Sequence, residues 1–224
     1  MWAILTDREK RNGGWDVDEF FTTGRAEIAQ LMARSSALGR PARRGTALDF
    51  GCGAGRLTQA LADYFDTVTG VDIAPAMLEL ARRYNRHGER CRYVLNTESH
   101  LEFFPASSFD LVYSRITLQH LPPRIIRKYL AEFIRVLRTD GLLVFQLPDR
   151  YRNWRDWLRH SLYRIATRRI ARRSDVMEMH GIQREKMVAW LESRGARVID
   201  IEEDPSAGPE WLSWRYFVVL NERR

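Results

Sequence analysis

The chain has 224 residues, 45% of them hydrophobic, and a net charge of +7. This composition predicts one folded domain with a buried core and excludes a disordered or low-complexity protein. No apolar run reaches the roughly 20 residues of a membrane-spanning helix, and the opening MWAILTDREK lacks the pattern of a signal peptide. Cys52 and Cys91 are the only cysteines, which gives neither a disulfide framework nor a zinc-ligand set. We therefore expect a reduced, cytoplasmic protein.

Strands and helices alternate along the predicted chain. An apolar strand over 46–50 leads into three glycines, and apolar residues at helical spacing follow from Leu57 to Phe65. Pro123 opens a helix whose apolar face continues to Leu137 and which Gly141 is expected to end. The other predicted elements are strands at 67–73, 92–96, 109–114, 142–148, 197–201 and 214–220, and helices that begin at Pro75 and around 185–195.

This alternation predicts an α/β fold with a mostly parallel sheet and helices on both faces. The last two strands are joined by a short loop, which favours an antiparallel pair. In such sheets a ligand binds at the carboxyl ends of the strands, where the glycine cluster lies.

Two features near the first strand predict a nucleoside ligand. Gly51, Gly53 and Gly55 permit left-handed backbone and a close approach. Asp72 ends the next strand, where a carboxylate can accept hydrogen bonds from ribose hydroxyls. Arg56 stands where a dinucleotide fingerprint needs its third glycine, and the chain has no phosphate-binding loop of the G-x-x-x-x-G-K-[ST] type.

The segments LDFGCGAGRLTQAL, VTGVDIAPAMLELAR, SSFDLVYSRITLQHLP and LLVFQLP, within residues 46–148, resemble the motifs of class I S-adenosylmethionine-dependent methyltransferases. The resemblance implies a Rossmann-like sheet of seven strands whose last strand is antiparallel, with S-adenosylmethionine as the cofactor. It implies one methyltransferase domain over 1–224, divided into an N-terminal helical cap (1–45), a cofactor core (46–148), a basic helical lid (149–182) and a C-terminal helix with a strand pair (183–224).

The same resemblance implies the cofactor-binding residues. Asp49 and the backbone of Gly51 and Gly53 would hold the methionine part, and Asp72 would hold the ribose. Asn96 lies where the family has an acid that accepts from the adenine amino group, and an asparagine oxygen can accept the same bond. The remaining implied positions are Ile73 and Met77 beside the adenine, Ser114 and Gln119 beside the methionine end, and Cys52 and Thr97.

Transfer to a hydroxyl needs a base, and His120 and His180 are the two candidates. A loop-bonding role for His120 and a capping or core role for His180 remain open. Ser114 to Thr117 read SRIT, not the Asn/Asp-Pro-Pro-aromatic tetrad typical of base methylation in the superfamily, and no acids cluster there for a metal. These residues favour metal-free O-methylation of a small molecule or a saccharide, such as a cell-envelope glycan or a natural product.

Between residues 151 and 173 the sequence has eight arginines and one acid. Its apolar residues share one helical face, which predicts an amphipathic helix that is either a solvated lid or a contact for something anionic, such as a sugar nucleotide, an acidic glycan, a membrane surface or RNA. Aromatic residues flank the site on both sides and could line it or pack in the core: Trp15, Phe20, Phe21, Trp211, Trp214 and Tyr216.

Two alternatives to small-molecule methylation stay open. An RNA methyltransferase could use the arginine-rich helix as its binding surface, although no separate RNA-binding domain accompanies it. A cofactor-binding module without catalysis would have less reason to keep Asp49, Gly51, Gly53 and Asp72. The sequence does not predict an oligomeric state.

Overall fold

The computed structural model describes residues 16–155, 158 and 178–221. Five helices and seven strands in this part of the chain frame the site. The helices are α1 (Val17–Ala37), α2 (Arg56–Leu61), α3 (Pro75–Arg83), α4 (Pro123–Val136) and α5 (Arg184–Glu192). The strands are β1 (Thr46–Phe50), β2 (Thr67–Asp72), β3 (Cys91–Leu95), β4 (Phe109–Ser114), β5 (Leu137–Tyr151), β6 (Ala196–Glu203) and β7 (Trp211–Leu220).

The seven strands form one sheet in the order β3-β2-β1-β4-β5-β7-β6. The pairs among β1 to β5 are parallel, and β7 runs antiparallel to both β5 and β6. The prediction of a mostly parallel sheet with an antiparallel last strand is therefore confirmed. The order reverses between β1 and β4, which is the switch point where ligands bind in open α/β sheets.

Helices cover both faces of the sheet. Helices α4 and α5 pack on one face through an apolar set that includes Ile126, Phe133, Met187 and Leu191. Helices α1, α2 and α3 pack on the other face, with Ile28, Leu31, Leu61 and Leu78 among the buried residues. Both faces are buried, which explains why β1, β4 and β5 read as nearly continuous apolar runs.

Two predicted helix ends differ from the structure. Helix α4 ends at Val136, because Leu137 already pairs with Phe109 in the parallel ladder between β4 and β5. Gly141 lies inside β5, where a Cβ would lie 2.9 Å from the backbone oxygen of Asp110, so this glycine allows two strands to pack closely. Helix α2 ends at Leu61, and residues 62–66 continue as turns that still bury Phe65.

Only the edges of the predicted lid are described. β5 continues to Tyr151, beyond the predicted boundary at 148, and Trp154, Arg155 and Leu158 are helical. The predicted amphipathic helix otherwise lies outside the described residues, as does Trp15. No helix in the described ranges is both long and apolar enough to cross a membrane.

Candidate active site

The glycine turn links β1 to α2 in left-handed backbone. Gly51, Gly53 and Gly55 have φ angles of +81°, +52° and +81°, which residues with a Cβ adopt only with strain. The N–H groups of Gly51 and Cys52 both donate to the carbonyl oxygen of Val71, at 2.8 and 3.0 Å. The turn is thus fastened to the end of β2.

Side chains from other elements lie close against this turn. A Cβ on Gly51 would lie 2.0 Å from Oγ1 of Thr117, and a Cβ on Gly55 would lie 2.5 Å from the hydroxyl of Tyr93. The loop after β4 therefore contacts the turn directly through Thr117, a residue that the sequence analysis did not single out. Close packing and positive φ both require glycine at these two positions.

Asp72 joins β2 to the glycine turn. Its Oδ2 accepts from the N–H of Gly53 at 2.8 Å, and its Oδ1 accepts from the N–H of Ala74 at 2.9 Å. Each carboxylate oxygen can accept a second hydrogen bond, so two acceptor positions remain for vicinal hydroxyls. The carboxylate is held in a fixed orientation by backbone groups alone.

Apolar side chains surround Asp72 on the surface. Ile73 is 68% exposed at the end of β2, and Leu95 is 45% exposed at the end of β3. Met77 is half-buried and Thr97 is exposed nearby in the chain. These two side chains, Ile73 and Leu95, form an exposed aliphatic surface beside Asp72. Leu95 was missed in the sequence because it reads as one more apolar residue of a strand.

Three of the predicted cofactor residues are buried and bonded within the protein. Oδ1 of Asn96 accepts from the N–H of Glu98 at 3.1 Å, while Nδ2 donates to the His100 carbonyl at 3.2 Å. The Ser114 hydroxyl donates to the Phe50 carbonyl at 3.1 Å and joins β4 to β1. The Cys52 thiol is buried, and burial raises its pKa. Asn96 keeps one acceptor position on its oxygen.

Asp49 lies beneath the turn rather than on its surface. The residue is buried, and the hydroxyl of Thr58 donates to its Oδ2 at 2.6 Å. Burial raises the pKa of this carboxyl to about 7, although Thr58 and the nearby Arg56 favour the charged form. A cation that approaches the turn would stabilise the charged form of this buried carboxyl.

The structure brings the two candidate histidines together. The backbone N–H of His180 donates to the Gln119 carbonyl at 2.7 Å, which ties the segment before α5 to the loop after β4. Nδ1 of His120 lies 3.3 Å from the Glu178 carbonyl oxygen, and Nε2 of His180 lies 3.7 Å from Oε2 of Glu178. Burial lowers the pKa of His120, the hydrogen bond to the Glu178 carbonyl partly offsets this, and the neighbouring His180 lowers the pKa further.

A chain of hydrogen bonds sets the protonation of His120. The N–H of Ile116 can only donate, so the atom of Gln146 that it meets at 3.1 Å is Oε1. Nε2 of Gln146 then donates to Oε1 of Gln119 at 3.1 Å, and Nε2 of Gln119 donates to Nε2 of His120 at 3.2 Å. His120 is therefore neutral, with its proton on Nδ1 facing Glu178.

Gln146 could have been found in the sequence. It is the one polar residue in the apolar run LLVFQLP, and it is buried where its Nε2 also donates to the Ser213 hydroxyl at 2.6 Å. A buried amide in a strand core needs partners, which is a signal that the sequence analysis passed over. Ser213 and Glu178 gave no comparable signal.

A buried ion network fastens α1 to the sheet near the site. Glu27 contacts Arg115 and lies 2.9 Å from Arg56. Asp204 lies 2.5 Å from Arg215 and 3.4 Å from Arg115, and these arginines hold the pKa of Asp204 down, at about 2. The network fixes the residues that precede the histidine loop.

The predicted aromatic wall is mostly interior. Phe20, Phe21 and Tyr216 are buried and pack in the core, and Phe21 also lines a small cavity beside Arg25 and Gln59. The Trp214 ring lies under the Arg184 guanidinium at 4.8 Å and its Nε1 donates to Oδ2 of Asp149 at 3.1 Å.

The sheet order, the glycine turn after β1 and the carboxylate at the end of β2 place the chain in the Rossmann-like α/β class. Within it, residues 47–141 match the sequence family described as methyltransferase domain. The chain has the fold of the class I S-adenosylmethionine-dependent methyltransferases. It superposes with a TM-score of 0.65 on magnesium protoporphyrin IX methyltransferase of Synechocystis PCC 6803, determined with bound SAH. The two chains are 16% identical, and the superposition covers 96% of this chain and 92% of that one.

Two curated relatives are similar in sequence. Trans-aconitate 2-methyltransferase of Enterobacter sp. (strain 638) is 36% identical over 105 residues, which cover 46% of this chain and 38% of the relative. Ubiquinone biosynthesis O-methyltransferase of Coxiella burnetii (strain RSA 331 / Henzerling II) is 27% identical over 159 residues, which cover 69% of this chain and 64% of the relative. The chain thus spans only part of the relatives that it matches.

Proposed function

We propose that this protein transfers a methyl group from S-adenosylmethionine to a hydroxyl of a small molecule. The observation that carries the proposal is the oriented Asp72 carboxylate, which meets Gly53 at 2.8 Å beside the exposed Ile73 and Leu95. This arrangement fits an adenosine: two free acceptor positions for the ribose hydroxyls and an apolar surface for the adenine. The names of the two relatives describe methyl transfer to small molecules, which supports the same acceptor class.

The residues of the turn fit the rest of the cofactor. Gly51 and Gly53 leave the backbone accessible, and Asp49 beneath them provides a carboxyl that a cationic methionine group would keep ionised. Met77 would contact the adenine beside Ile73, and Asn96 would offer its remaining lone pair to the amino group. Ser114, Gln119, Cys52 and Thr97 complete the proposed site.

When bound, S-adenosylmethionine supplies a methyl on a sulfonium, and transfer breaks the S–C bond, forms the O–C bond and releases the hydroxyl proton. His120 would accept that proton at Nε2, since burial keeps the imidazole neutral near neutral pH. Gln119 must release this nitrogen as the acceptor hydroxyl arrives. His180 adjoins His120 and would contact the acceptor.

The proposed acceptors include a saccharide. The proposed compartment is the cytoplasm, since both cysteines are free and buried. The test supplies tritium-methyl S-adenosylmethionine to the pure protein with lysate of its source, fractionated into RNA, protein, lipid and small molecules or glycans. Asp72→Asn is the inactive variant, and Asp66→Asn, at an exposed acid, is its matched control.

Label in the small-molecule or glycan fraction that requires Asp72 would support the proposal. Label only in RNA would overturn it in favour of the arginine-rich helix as an RNA surface. Calorimetry with S-adenosylhomocysteine tests whether the cofactor binds at all. A protein that does not bind this product is neither a methyltransferase of this type nor a cofactor-binding module.

A further inference from the structure

A cavity of about 500 Å³ lies at the carboxyl end of β5. Its lining includes the aromatic residues Tyr151, Trp154 and Trp211, the charged residues Asp149 and Arg150, and Gly181. This volume falls in the range of small-molecule sites, which combine an apolar lining with a few oriented polar groups.

The cavity adjoins the proposed methyl-transfer site along one continuous set of contacts. Thr117 lies against Gly51, and its carbonyl accepts from the N–H of His120 at 3.1 Å. His180, bonded to the same loop, precedes Gly181, which packs on the backbone oxygens of Pro148 and Asp149. The cavity is therefore linked to the histidine pair through Gly181 and its neighbour His180.

The two carboxylate oxygens of Asp149 differ in their contacts with the described residues. Its side chain is only 2% exposed, and Oδ2 is held by Nε1 of Trp214 at 3.1 Å, with Arg150 at 3.4 Å. Oδ1 is buried and has no hydrogen-bond partner among the described residues. An unpaired buried carboxylate oxygen is costly, so a ligand hydroxyl that donates to it would be bound strongly.

The aromatic residues offer flat surfaces beside this oxygen. The rings of Tyr151 and Trp211 lie 4.1 Å apart at 31°, and Trp154 is 67% exposed with the Arg155 guanidinium 5.6 Å from its ring centre. A flat ring stacks well on such side chains. A sugar would bring several hydroxyls, whereas the described lining gives one buried side-chain acceptor without a hydrogen-bond partner.

The charge at the rim favours an anion. The Arg150 side chain is 59% exposed and lies 3.4 Å from the Asp149 carboxylate. A carboxylate on the ligand would meet this guanidinium at the mouth of the cavity, where Arg pairs well with carboxylates.

We infer that the cavity binds the methyl acceptor, and that this acceptor is a flat, hydroxylated aromatic acid. One hydroxyl donates to Oδ1 of Asp149, the ring lies against Trp154 and Trp211, and the carboxylate faces Arg150. A second hydroxyl toward His120 is the one that is methylated. The acceptor role of the cavity rests on the proposed function, whereas the binding chemistry does not.

The test measures binding by calorimetry on the whole protein, without cofactor. The probes are 4-hydroxybenzoate, benzoate, which lacks the donor, and 4-hydroxycyclohexanecarboxylate, which lacks the flat ring. We expect 4-hydroxybenzoate to bind about tenfold or more tightly than either of the others, the effect of one hydrogen bond to a buried charge and of lost stacking.

Asp149→Asn is the decisive variant. Its single oxygen must serve Nε1 of Trp214, so its amide NH₂ turns to the cavity and the preference for 4-hydroxybenzoate over benzoate falls to about threefold or less. Asp140→Asn, at an exposed acid on the same strand, is the matched control and keeps the preference. Trp154→Ala, at an exposed position that does not endanger folding, should weaken binding of both aromatic probes by about threefold or more.

Equal binding of 4-hydroxybenzoate and benzoate, or a preference that survives in Asp149→Asn, overturns the inference. The same titration with S-adenosylhomocysteine reports on the proposed function separately. Binding of this product without any binding of 4-hydroxybenzoate refutes only the acceptor assignment, and binding of 4-hydroxybenzoate alone refutes the acceptor role while the aromatic site stands.

Discussion

Replacing Asp49 by Asn should stabilise the protein and at the same time weaken cofactor binding. In the folded protein the carboxyl has a pKa of about 7 because it is buried, against 3.8 without burial. The folded state therefore favours the protonated acid, and the cost of ionising it appears above pH 3.8, grows until pH 7 and then stays constant. Asn is uncharged, can still accept from the Thr58 hydroxyl, and avoids this cost.

The shift of the Asp49 pKa sets the magnitude. At 1.36 kcal/mol per pH unit, the ionisation cost removed by Asp49→Asn is roughly 3 kcal/mol at pH 6 and roughly 4 kcal/mol at pH 9. Loss of a charged partner for the methionine group should weaken S-adenosylhomocysteine binding about tenfold or more. One substitution thus produces two effects of opposite sign, as expected where a binding site is maintained against stability.

Urea unfolding at pH 6 and pH 9 measures the first effect, and calorimetry measures the second. Asp66→Asn, at an exposed acid, controls for the change of charge. Equal stability of the Asp49→Asn variant and the parent protein at pH 9 would show that Asp49 bears no desolvation cost in the folded protein. Unchanged product affinity would show that its charge does not serve the cofactor.

Three further predictions concern the loop after β4 and its support. Gln146→Glu can no longer donate to Gln119, whose amide should turn its oxygen to His120 and raise the His120 pKa. An NMR titration of the imidazole measures this, and an unchanged pKa refutes the proton assignment. Asp204→Asn leaves Arg115 with Glu27 and Arg215 with Glu202 as charged partners, and it should cost about 2 kcal/mol in urea unfolding at pH 7, which corresponds to a pKa held at about 2 instead of 3.8. The parent protein loses this contribution as the pH falls from 3.8 toward 2. Gly51→Ala should lower stability by more than about 1 kcal/mol, because its Cβ meets Thr117 and its φ is +81°. If Gly51→Ala costs as much in a Thr117→Gly background, which removes every contacting side-chain atom, the strained backbone alone is responsible.

The fold was predictable because its signals are local. The strand at 46–50 and the helices opened by Pro75 and Pro123 read directly from apolar spacing and proline position, and the structure has them. The end of α4 was not predictable in this way, because the pairing of Leu137 with Phe109 takes that residue into a strand. Tertiary pairing overrides local helix propensity at such junctions.

The residues of the candidate site also differ in whether a local sequence signal marks them. Gly51 and Asp72 could be proposed from the sequence because they follow or end adjacent strands, and their hydrogen bonds to Val71 and Gly53 bring the two strand ends together. Thr117 and Asp149 were missed because their significance lies in what they face across the fold, a glycine in one case and a cavity in the other. No spacing along the chain encodes such a contact.

The loop after β4 contacts both the glycine turn of the proposed cofactor site and the proposed base His120, so it could link the two. Its Thr117 lies against the glycine turn, its Ile116 has a φ of +56°, which is strained for a β-branched residue, and its Gln119 bonds both Gln146 and His120. Any ligand that moves Thr117 away from Gly51 must also disturb these bonds. Cofactor binding would then change the environment of the proposed proton acceptor, so the pKa of His120 should change when S-adenosylhomocysteine is added. An unchanged pKa would mean that the loop does not couple the two sites.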